Sequence, residues 1–178
     1  MGSDKALLDF DGVRLLDRVY RRLSSAADPV FFAPGRVGRL GSLPADELPD
    51  ARANSGPLGG LVSGLERSPH DLLALIAVDM PWCSAPLLSE AAELWDGEDV
   101  VVPVDDKGPQ VLHALYSRAA LEPLRTALED GRLSLRALLK DLKVRYLDQS
   151  VWSKSDASGR FAFNLNRPED LALLAERP

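Results

Sequence analysis

Apolar positions along the chain occur in two patterns, a helical spacing and short continuous runs. Spacings of three and four residues predict an amphipathic helix over residues 13–24. Seven consecutive apolar residues at 72–78 fit a strand that is buried on both faces. The same reasoning predicts further strands at 30–33, 100–102, 111–116 and 144–147, and helices at 59–66, 85–95, 118–129, 133–139 and 168–175. It also predicts a loop with one brief strand at 34–56 and a polar loop at 149–160.

Strands that alternate with helices indicate an α/β fold with a Rossmann-like, mainly parallel sheet and helices on both faces. No linker divides the chain, so residues 1–178 are expected to form a single domain. The length of 178 residues suits one domain with a core of its own. A chain of this size needs no disulfide or metal to hold it together.

Composition and charge exclude several classes of protein. The 27 acidic residues outnumber the 21 Lys and Arg, so the net charge of −6 does not favour binding to nucleic acid. A lone cysteine, Cys83, rules out an internal disulfide framework and a cysteine-rich zinc site. No apolar run approaches the length of a membrane span or the core of a signal peptide. We expect a cytoplasmic protein without a nucleic-acid or membrane partner.

Asp79 directly follows the apolar run at 72–78. Ligands of open α/β sheets bind beyond the carboxyl ends of the strands, so this carboxylate is expected at a ligand crevice. An oxygen ligand there suits Mg²⁺, which commonly takes one or two carboxylates together with substrate phosphates. The alternative is that Asp79 only caps the turn or helix that follows it.

A glycine-rich loop precedes the helix predicted at 59–66. Its residues, Ser55 to Gly60, read SGPLGG, and they allow a ligand to approach the backbone closely at a helix N-terminus that favours anions. No Gly-Lys-Ser/Thr follows, so this is not a Walker loop. An ordinary tight loop is the alternative.

Two of the three asparagines of the chain, Asn164 and Asn166, stand two residues apart. On an extended segment that spacing places both side chains on one face, where their donors and acceptors suit a heterocycle or a phosphate ester. The alternative for Asn166 is helix capping. Lys5, after a small-residue loop, suits a phosphate contact or simple exposure to solvent. His113, in an alternating strand, is typical of a hydrogen-bonded core residue.

Six segments in this order are more specific than any one of them: MGSDKALL, GPLGGL, a strand ending in DMP, VVP followed by LHALYSRAALEPL, DGRLSLRALL and FAFNLNRPEDL. The series resembles the molybdenum cofactor guanylyltransferases, a MobA-like group within the Rossmann-like nucleotidyltransferases. The resemblance covers nearly the whole chain.

The resemblance implies transfer of GMP from GTP to the phosphate of molybdopterin, with or without molybdenum, and release of pyrophosphate. It implies Mg²⁺ as the cofactor and a molybdoenzyme or its chaperone as a further partner. The residue roles that it implies are triphosphate contact by Lys5, a guanine-side loop at Gly56, Pro57, Leu58 and Gly59, pairing with the base by Asp50, Mg²⁺ binding by Asp79, and a molybdopterin side at Asn164 and Asn166.

Two departures from the family pattern alter this expectation. The stretch Ala33-Pro34-Gly35-Arg36 lacks the polar residue, often Asn, that follows the family's second strand. Met1 aligns inside the N-terminal signature, so the family's first strand and its G-G-x-S-x-R segment have no counterpart in the sequence. A molybdenum cofactor cytidylyltransferase or another nucleotidyltransferase, a noncatalytic molybdopterin-binding protein, and an incomplete gene product are the alternatives.

Overall fold

The computed structural model describes residues 5–10, 12–166 and 170. The first four residues and, apart from residue 170, the predicted helix at 168–175 therefore lie outside the described part of the chain. The described elements, in chain order, are β1 Asp9–Phe10, β2 Val13–Arg14, α1 Leu15–Leu23, β3 Phe31–Phe32, β4 Asp46–Glu47, α2 Pro57–Arg67, β5 Leu72–Ile76, α3 Ala85–Leu94, β6 Val100–Asp105, β7 Gly108–Pro109, β8 His113–Ser117, α4 Leu121–Glu129, α5 Leu135–Leu138, β9 Val144–Leu147 and α6 Gln149–Trp152, with 3₁₀ turns at Lys5–Leu7, Arg118–Ala120, Leu139–Asp141 and Arg160–Ala162.

Five strands form the main sheet, and the pairings run in the order β5-β8-β6-β7. β9 also pairs with β6, on the side opposite β8, since Val100 of β6 pairs with a residue of each. β6 and β9 pair in parallel, whereas β8 runs antiparallel to both β5 and β6. Three strands, β5, β6 and β9, therefore share one direction, but only the β6–β9 pairing is parallel. The pairings β5–β8, β6–β8 and β6–β7 are antiparallel, so the described sheet is mixed rather than mainly parallel, because β8 is inserted between β5 and β6. The pairs β1–β2 and β3–β4 form two small separate sheets, of which β3–β4 is parallel.

Alternate residues of the strands enter two cores, one on each face of the main sheet. Val100 and Val102 of β6 pack on one face with α2, α4 and α5, and Val101 packs on the other with α3 and α6. Helices therefore cover both faces, as predicted, because the period of two along each strand sends apolar side chains to both sides.

β5 differs from its prediction in burial. All five of its residues are half-buried, although the apolar run predicts a strand buried on both faces. The reason is its place at an edge of the sheet, since β8 is its only ladder partner among the described strands. The apolar run indicates which residues face the helices, but it does not show how many strands flank them.

Most of the other predicted elements are present, with ends moved by a few residues. α1 begins two residues later than predicted because Val13 and Arg14 pair with β1 instead. The loop predicted at 149–160 was wrong at its start, where Asp148 accepts a hydrogen bond from the Ser150 N–H and caps α6, which buries Trp152. Within the described residues, no helix is both long and apolar enough to cross a bilayer.

Candidate functional site

Lys5 and Asp79 meet beyond the end of β5. The Lys5 Nζ atom lies 4.0 Å from Asp79 Oδ2, and the two side chains are 35% and 25% exposed, so both remain open to a ligand. Asp79 follows β5 by three residues, at the strand end where the sequence predicts a ligand crevice. The structure thus brings together two residues that are 74 positions apart in the chain.

Apolar residues next to Lys5 and Asp79 in the chain hold these two side chains close to each other. Ala6 is 1% exposed and belongs to a small core cluster against which Val78 and Phe32 pack. Because Ala6 adjoins Lys5 and Val78 adjoins Asp79, burying these two side chains also sets the distance between the charged ones. The short 3₁₀ turn at Lys5–Leu7 is therefore anchored to the end of β5 by packing rather than by charge.

Residues 160–166, which we call the asparagine segment, complete the same group. Lys5 Nζ donates a hydrogen bond to Asn166 Oδ1 at 3.2 Å, and the Leu165 N–H donates to the Asp79 carbonyl at 2.8 Å. Leu165 is 1% exposed, so it fastens the segment to the core. We call Lys5, Asp79 and Asn166 the lysine–aspartate cluster.

Asn164 takes a different position from Asn166. Its Nδ2 donates to the Ala162 carbonyl at 3.2 Å, and the Asn166 Nδ2 donates to the Asn164 carbonyl at 3.3 Å. Both amide nitrogens therefore hold the local backbone of the segment. Of the two side-chain carbonyl oxygens, only that of Asn166 has Lys5 as a donor.

Burial raises the pKa of the Asp79 carboxyl, and the positive charge of Lys5 opposes that rise. A carboxylate that has lost part of its hydration is stabilised by a nearby cation. No group of three His, Cys, Asp or Glu side chains is arranged to bind a metal in the described parts of the chain. Asp79 therefore offers one protein carboxylate, which fits a Mg²⁺ ion that draws its other ligands from water and substrate phosphates.

Asp50 lies over a surface made of glycines. A Cβ atom added to Gly35 would lie 3.7 Å from Asp50 Oδ2, and one added to Gly60 would lie 3.7 Å from Oδ1. A Cβ at Gly59 would lie 3.2 Å from Asp50 Cβ. Burial raises the pKa of Asp50, and Arg39 opposes the rise. We call Gly35, Gly59 and Gly60 the glycine floor, and the side chain of Asp50 packs against it.

The residues of the predicted guanine-side loop differ in their exposure to solvent. Gly56 precedes α2 with φ of 60° and ψ of −148°, a backbone conformation for which glycine is suited, and nothing lies within 4 Å of its missing side chain. Pro57 is exposed in the first turn. Leu58, in contrast, is fully buried in the core, and the space beside Gly59 is filled by Ser55. Only the backbone of Leu58 can serve a ligand.

The end of β3 connects the glycine floor with the lysine–aspartate cluster. Phe32 packs against the cluster of Ala6, and the next residue, Ala33, lies so close to Gly60 that a Cβ there would be 2.7 Å from its own. Gly35 then passes beneath Asp50. The stretch that lacks the family's polar residue thus packs closely against Gly60, which belongs to the predicted glycine-rich loop, and against Asp50. Gly35 was not among the predicted site residues, and no motif in the sequence marks its place beside Asp50.

A second feature beyond the predictions is an aromatic group beside residues 77–84, which connect β5 with α3 and include Asp79. The Arg160 guanidinium lies 3.7 Å from the centroid of the Trp82 ring, and Phe163 meets that ring edge-on at 4.9 Å. A cavity of about 340 Å³ opens here, lined in part by Trp82, Ser84 and Arg160. No motif in the sequence marks these residues, because their spacing of nearly 80 positions has meaning only in the fold.

The remaining candidates are structural. Cys83 is buried, and burial raises the pKa of its thiol to about 11, so it stays protonated at neutral pH. His113 is completely buried and hydrogen-bonded, which confirms its prediction as a core residue. The larger cavity, of about 490 Å³ between α4 and residues 138–142, contains none of the predicted site residues.

The sequence matches the family model of the MobA-like NTP transferase domain over residues 1–148. A probable molybdenum cofactor guanylyltransferase of Chloroflexus aggregans is 31% identical over 179 residues, which cover 97% of this chain and 86% of that protein. A second, from a Nostoc species, is 33% identical over 181 residues that cover 98% and 84%.

Solved structures agree on the fold. Molybdopterin-guanine dinucleotide biosynthesis protein A of Archaeoglobus fulgidus superposes with a TM-score of 0.82 at 24% identity, over 97% of this chain and 89% of that one. The 2-C-methyl-D-erythritol 4-phosphate cytidylyltransferase of Thermus thermophilus superposes with a TM-score of 0.67 at 21% identity, over 97% and 94%. At these identities the likeness establishes a nucleotidyltransferase fold.

Proposed function

The chain belongs to the family of MobA-like NTP transferase domains, and we propose that it transfers GMP from GTP to the phosphate of molybdopterin. The products are the guanine dinucleotide form of the cofactor and pyrophosphate, and the acceptor carries molybdenum or lacks it. The relatives named as guanylyltransferases support this substrate pair. The observation that carries the proposal is the lysine–aspartate cluster, which joins three distant segments at one strand end.

In this proposal Lys5 neutralises the triphosphate. Its ammonium lies at the edge of the cluster, 35% exposed, and is held by two weak contacts, at 4.0 Å to Asp79 and 3.2 Å to Asn166. Neither contact is strong enough to prevent the flexible side chain from turning toward phosphate oxygens. A displacement between two phosphate groups gathers negative charge, so a cation fixed at this place stabilises the transition state.

Asp79 would hold Mg²⁺ together with phosphate oxygens of GTP. The ion, when bound, supplies charge neutralisation at the transferred phosphoryl group and orients its oxygens. Asp79 suits that role because its carboxylate is partly desolvated and, among the described residues, a single weak ion pair competes for it. No covalent nucleophile is required in this proposal, since positioning and charge neutralisation account for catalysis of such a transfer.

Asp50 would select the base. Its carboxylate can accept two hydrogen bonds from the N–H groups on one edge of guanine. Asp50 packs against the glycine floor, which includes Gly59 of the predicted guanine-side loop. Cytosine presents a different arrangement of donors. The neighbouring Gly56 and Pro57 would form the open rim of this side of the site.

Asn164 and Asn166 would form the molybdopterin side. The segment that carries them is fastened to the Asp79 carbonyl, so an acceptor bound there would lie beside the metal site. The cavity next to Trp82 is lined by Arg160, whose guanidinium lies over the buried Trp82 ring and offers a cation for a phosphate. A molybdoenzyme or its chaperone would then receive the product, and we place the reaction in the cytoplasm.

The test uses purified protein with Mg²⁺, GTP labelled at the α-phosphate and molybdopterin. We expect the label in a pterin dinucleotide together with one equivalent of pyrophosphate, and little of either from CTP. Asp79→Asn, which keeps size and shape but removes the charge, is the matched control and should bind molybdopterin without turnover. Faster transfer from CTP would make the protein a cytidylyltransferase. Binding of molybdopterin without release of pyrophosphate by the wild type would make it a carrier.

A further inference from the structure

His113 lies at the start of β8, completely buried, on the sheet face that also carries Leu115. Its Nε2 accepts a hydrogen bond from the backbone N–H of Ser84 at 2.9 Å. The ring proton must therefore be on Nδ1, which has no hydrogen-bond partner among the described residues. A buried donor without a partner is costly, so the imidazole needs a reason to be there.

Its place relative to the Asp79 loop gives that reason. We define this loop as residues 77–84, between β5 and α3. The loop's first residue, Ala77, donates its N–H to the Leu112 carbonyl at 3.0 Å, and Ile76 pairs with His113 in the β5–β8 ladder. The loop's last residue, Ser84, donates to the His113 ring. Two consecutive residues, Leu112 just before β8 and His113 at its start, thus hold both ends of the loop that carries Asp79.

The ring also meets the second segment that reaches the site. Its centroid lies 5.1 Å from that of Phe161, which is completely buried at the start of the asparagine segment. That segment returns to the loop through the hydrogen bond from the Leu165 N–H to the Asp79 carbonyl. His113 therefore contacts the Asp79 loop with its nitrogen and the asparagine segment with its aromatic face.

We propose that His113 is a positioning residue that fixes Asp79 and the asparagine segment relative to one another by accepting from Ser84 and packing on Phe161. Its consequence for catalysis rests on the proposed nucleotidyl transfer. An apolar side chain of similar size would keep the packing but leave the Ser84 N–H buried and unpaired. Glutamine would keep an acceptor but lose the ring. A shift of about 1 Å in a catalytic carboxylate is enough to slow a reaction by roughly a hundredfold.

The variants are His113→Phe, which keeps a ring without the acceptor, and His113→Gln, which keeps an acceptor. Tyr116→Phe is the matched control, because Tyr116 is equally buried on the same strand and donates its OH to the Val111 carbonyl at 2.9 Å. Tyr116 faces the opposite core, with α2 and α4. The control thus removes one buried hydrogen bond from the same strand without touching the Asp79 loop.

The measurements are amide hydrogen exchange of residues 80–84, calorimetric binding of Mg²⁺ with GTP, and the rate of pyrophosphate release. We expect His113→Phe to speed exchange in residues 80–84 by about tenfold and to lower kcat by about tenfold or more. We expect His113→Gln to restore most of both. Tyr116→Phe should lower Tm while exchange at 80–84, Mg²⁺–GTP affinity and kcat stay at their wild-type values.

Unchanged exchange at residues 80–84 in His113→Phe would overturn the proposal, as would equal losses of kcat in the Gln and Phe variants. If His113→Phe does not fold, His113→Asn, with a shorter amide, takes its place in the comparison. A wild type that releases no pyrophosphate would refute the proposed function instead. The exchange difference between the Phe and Gln variants would still decide whether His113 holds the loop.

Discussion

The two faces of the main sheet bury apolar side chains to a similar degree, but they hold different things together. The face covered by α2, α4 and α5 is a core of aliphatic side chains around Tyr116. The face covered by α3 and α6 contains aromatic rings and the imidazole of His113, beneath the Asp79 loop. We call the first the aliphatic face and the second the aromatic face.

The difference indicates which face of the sheet fixes the positions of the site residues. On the aliphatic face the contacts are non-directional, so the loss of one side chain lowers stability without moving the site. On the aromatic face, hydrogen bonds and ring contacts connect residues 77–84 with residues 160–166, and these two segments carry Asp79 and Asn166. Substitutions there should change the geometry of the site more than the stability of the fold.

The largest effect is expected from substitution of Asp79, whose loop lies above the aromatic face. Asp79→Ala should lower kcat by about 10²–10³-fold, because it removes the one carboxylate of the lysine–aspartate cluster. Tm should hardly change, since the side chain is 25% exposed and makes only a 4.0 Å ion pair. Rate measurements over a range of Mg²⁺ concentrations test this. Wild-type activity in the variant would remove Asp79 from the metal site.

Leu124→Ala is the counterpart on the aliphatic face. Leu124 is 1% exposed in α4, so truncation should lower the free energy of unfolding by about 2–5 kcal/mol. The KM for GTP should stay the same at temperatures where the variant is folded. Urea unfolding and steady-state kinetics on one preparation provide both numbers. A changed KM with intact stability would mean that the aliphatic face also sets the geometry of the site.

Lowering the pH should reduce the stability of the fold through His113, which lies on the aromatic face. Burial lowers its pKa from 6.5 to about 4, and the charge of Asp156 opposes the shift. Between those two values the unfolded chain binds a proton that the folded chain does not, so stability is fully present above pH 6.5 and falls as the pH drops toward 4. The loss attributable to this residue is on the order of 3 kcal/mol.

The measurement is the difference in unfolding free energy between the wild type and His113→Gln at pH 7 and at pH 4.5. Glutamine does not titrate, so the contributions of Asp50, Asp79 and the other carboxyls cancel in that difference. The wild type should lose its advantage over the variant as the pH falls. A difference that is constant with pH would show that His113 is not buried in its neutral form.

Asp50 tests the predicted guanine side of the site. It packs against the N-terminal part of α2, a helix that covers the aliphatic face. Asp50→Asn should lower kcat/KM for GTP by about tenfold or more, because one acceptor becomes a donor facing the guanine N–H groups. Turnover with other nucleotides should change less. The ratio of kcat/KM for GTP to that for ATP is the measurement, and equal losses for both would end the base-selecting role.

The smallest effect is expected from Asn166→Ala. It removes one partly exposed hydrogen bond to Lys5, at 3.2 Å, so the KM for GTP should rise by about two- to tenfold. Asn164→Ala, which leaves Lys5 untouched, should affect the KM for molybdopterin more than that for GTP. The reverse pattern would separate Lys5 from Asn166 in function.

Local pattern was sufficient to predict the order of strands and helices and the position of Asp79 after β5, since hydrophobic periodicity and turn residues act over a few positions. It was also sufficient to single out Lys5, the glycine loop and the asparagine pair. It was insufficient for α6, where Asp148 caps a helix too short to show a period. The buried state of Leu58 was missed for a similar reason, because a motif does not show which of its side chains turns inward.

The sequence by itself determined the α/β class, the acidic and cysteine-poor character, and the residue types that can bind phosphates. Tertiary structure alone decided that β8 runs against its neighbours and that β5 stands at a sheet edge among the described strands. It alone placed Asn166 on Lys5 and His113 beneath the Asp79 loop. Each of these depends on segments 14 to 161 residues apart, whose meeting is set by the packing of the whole core.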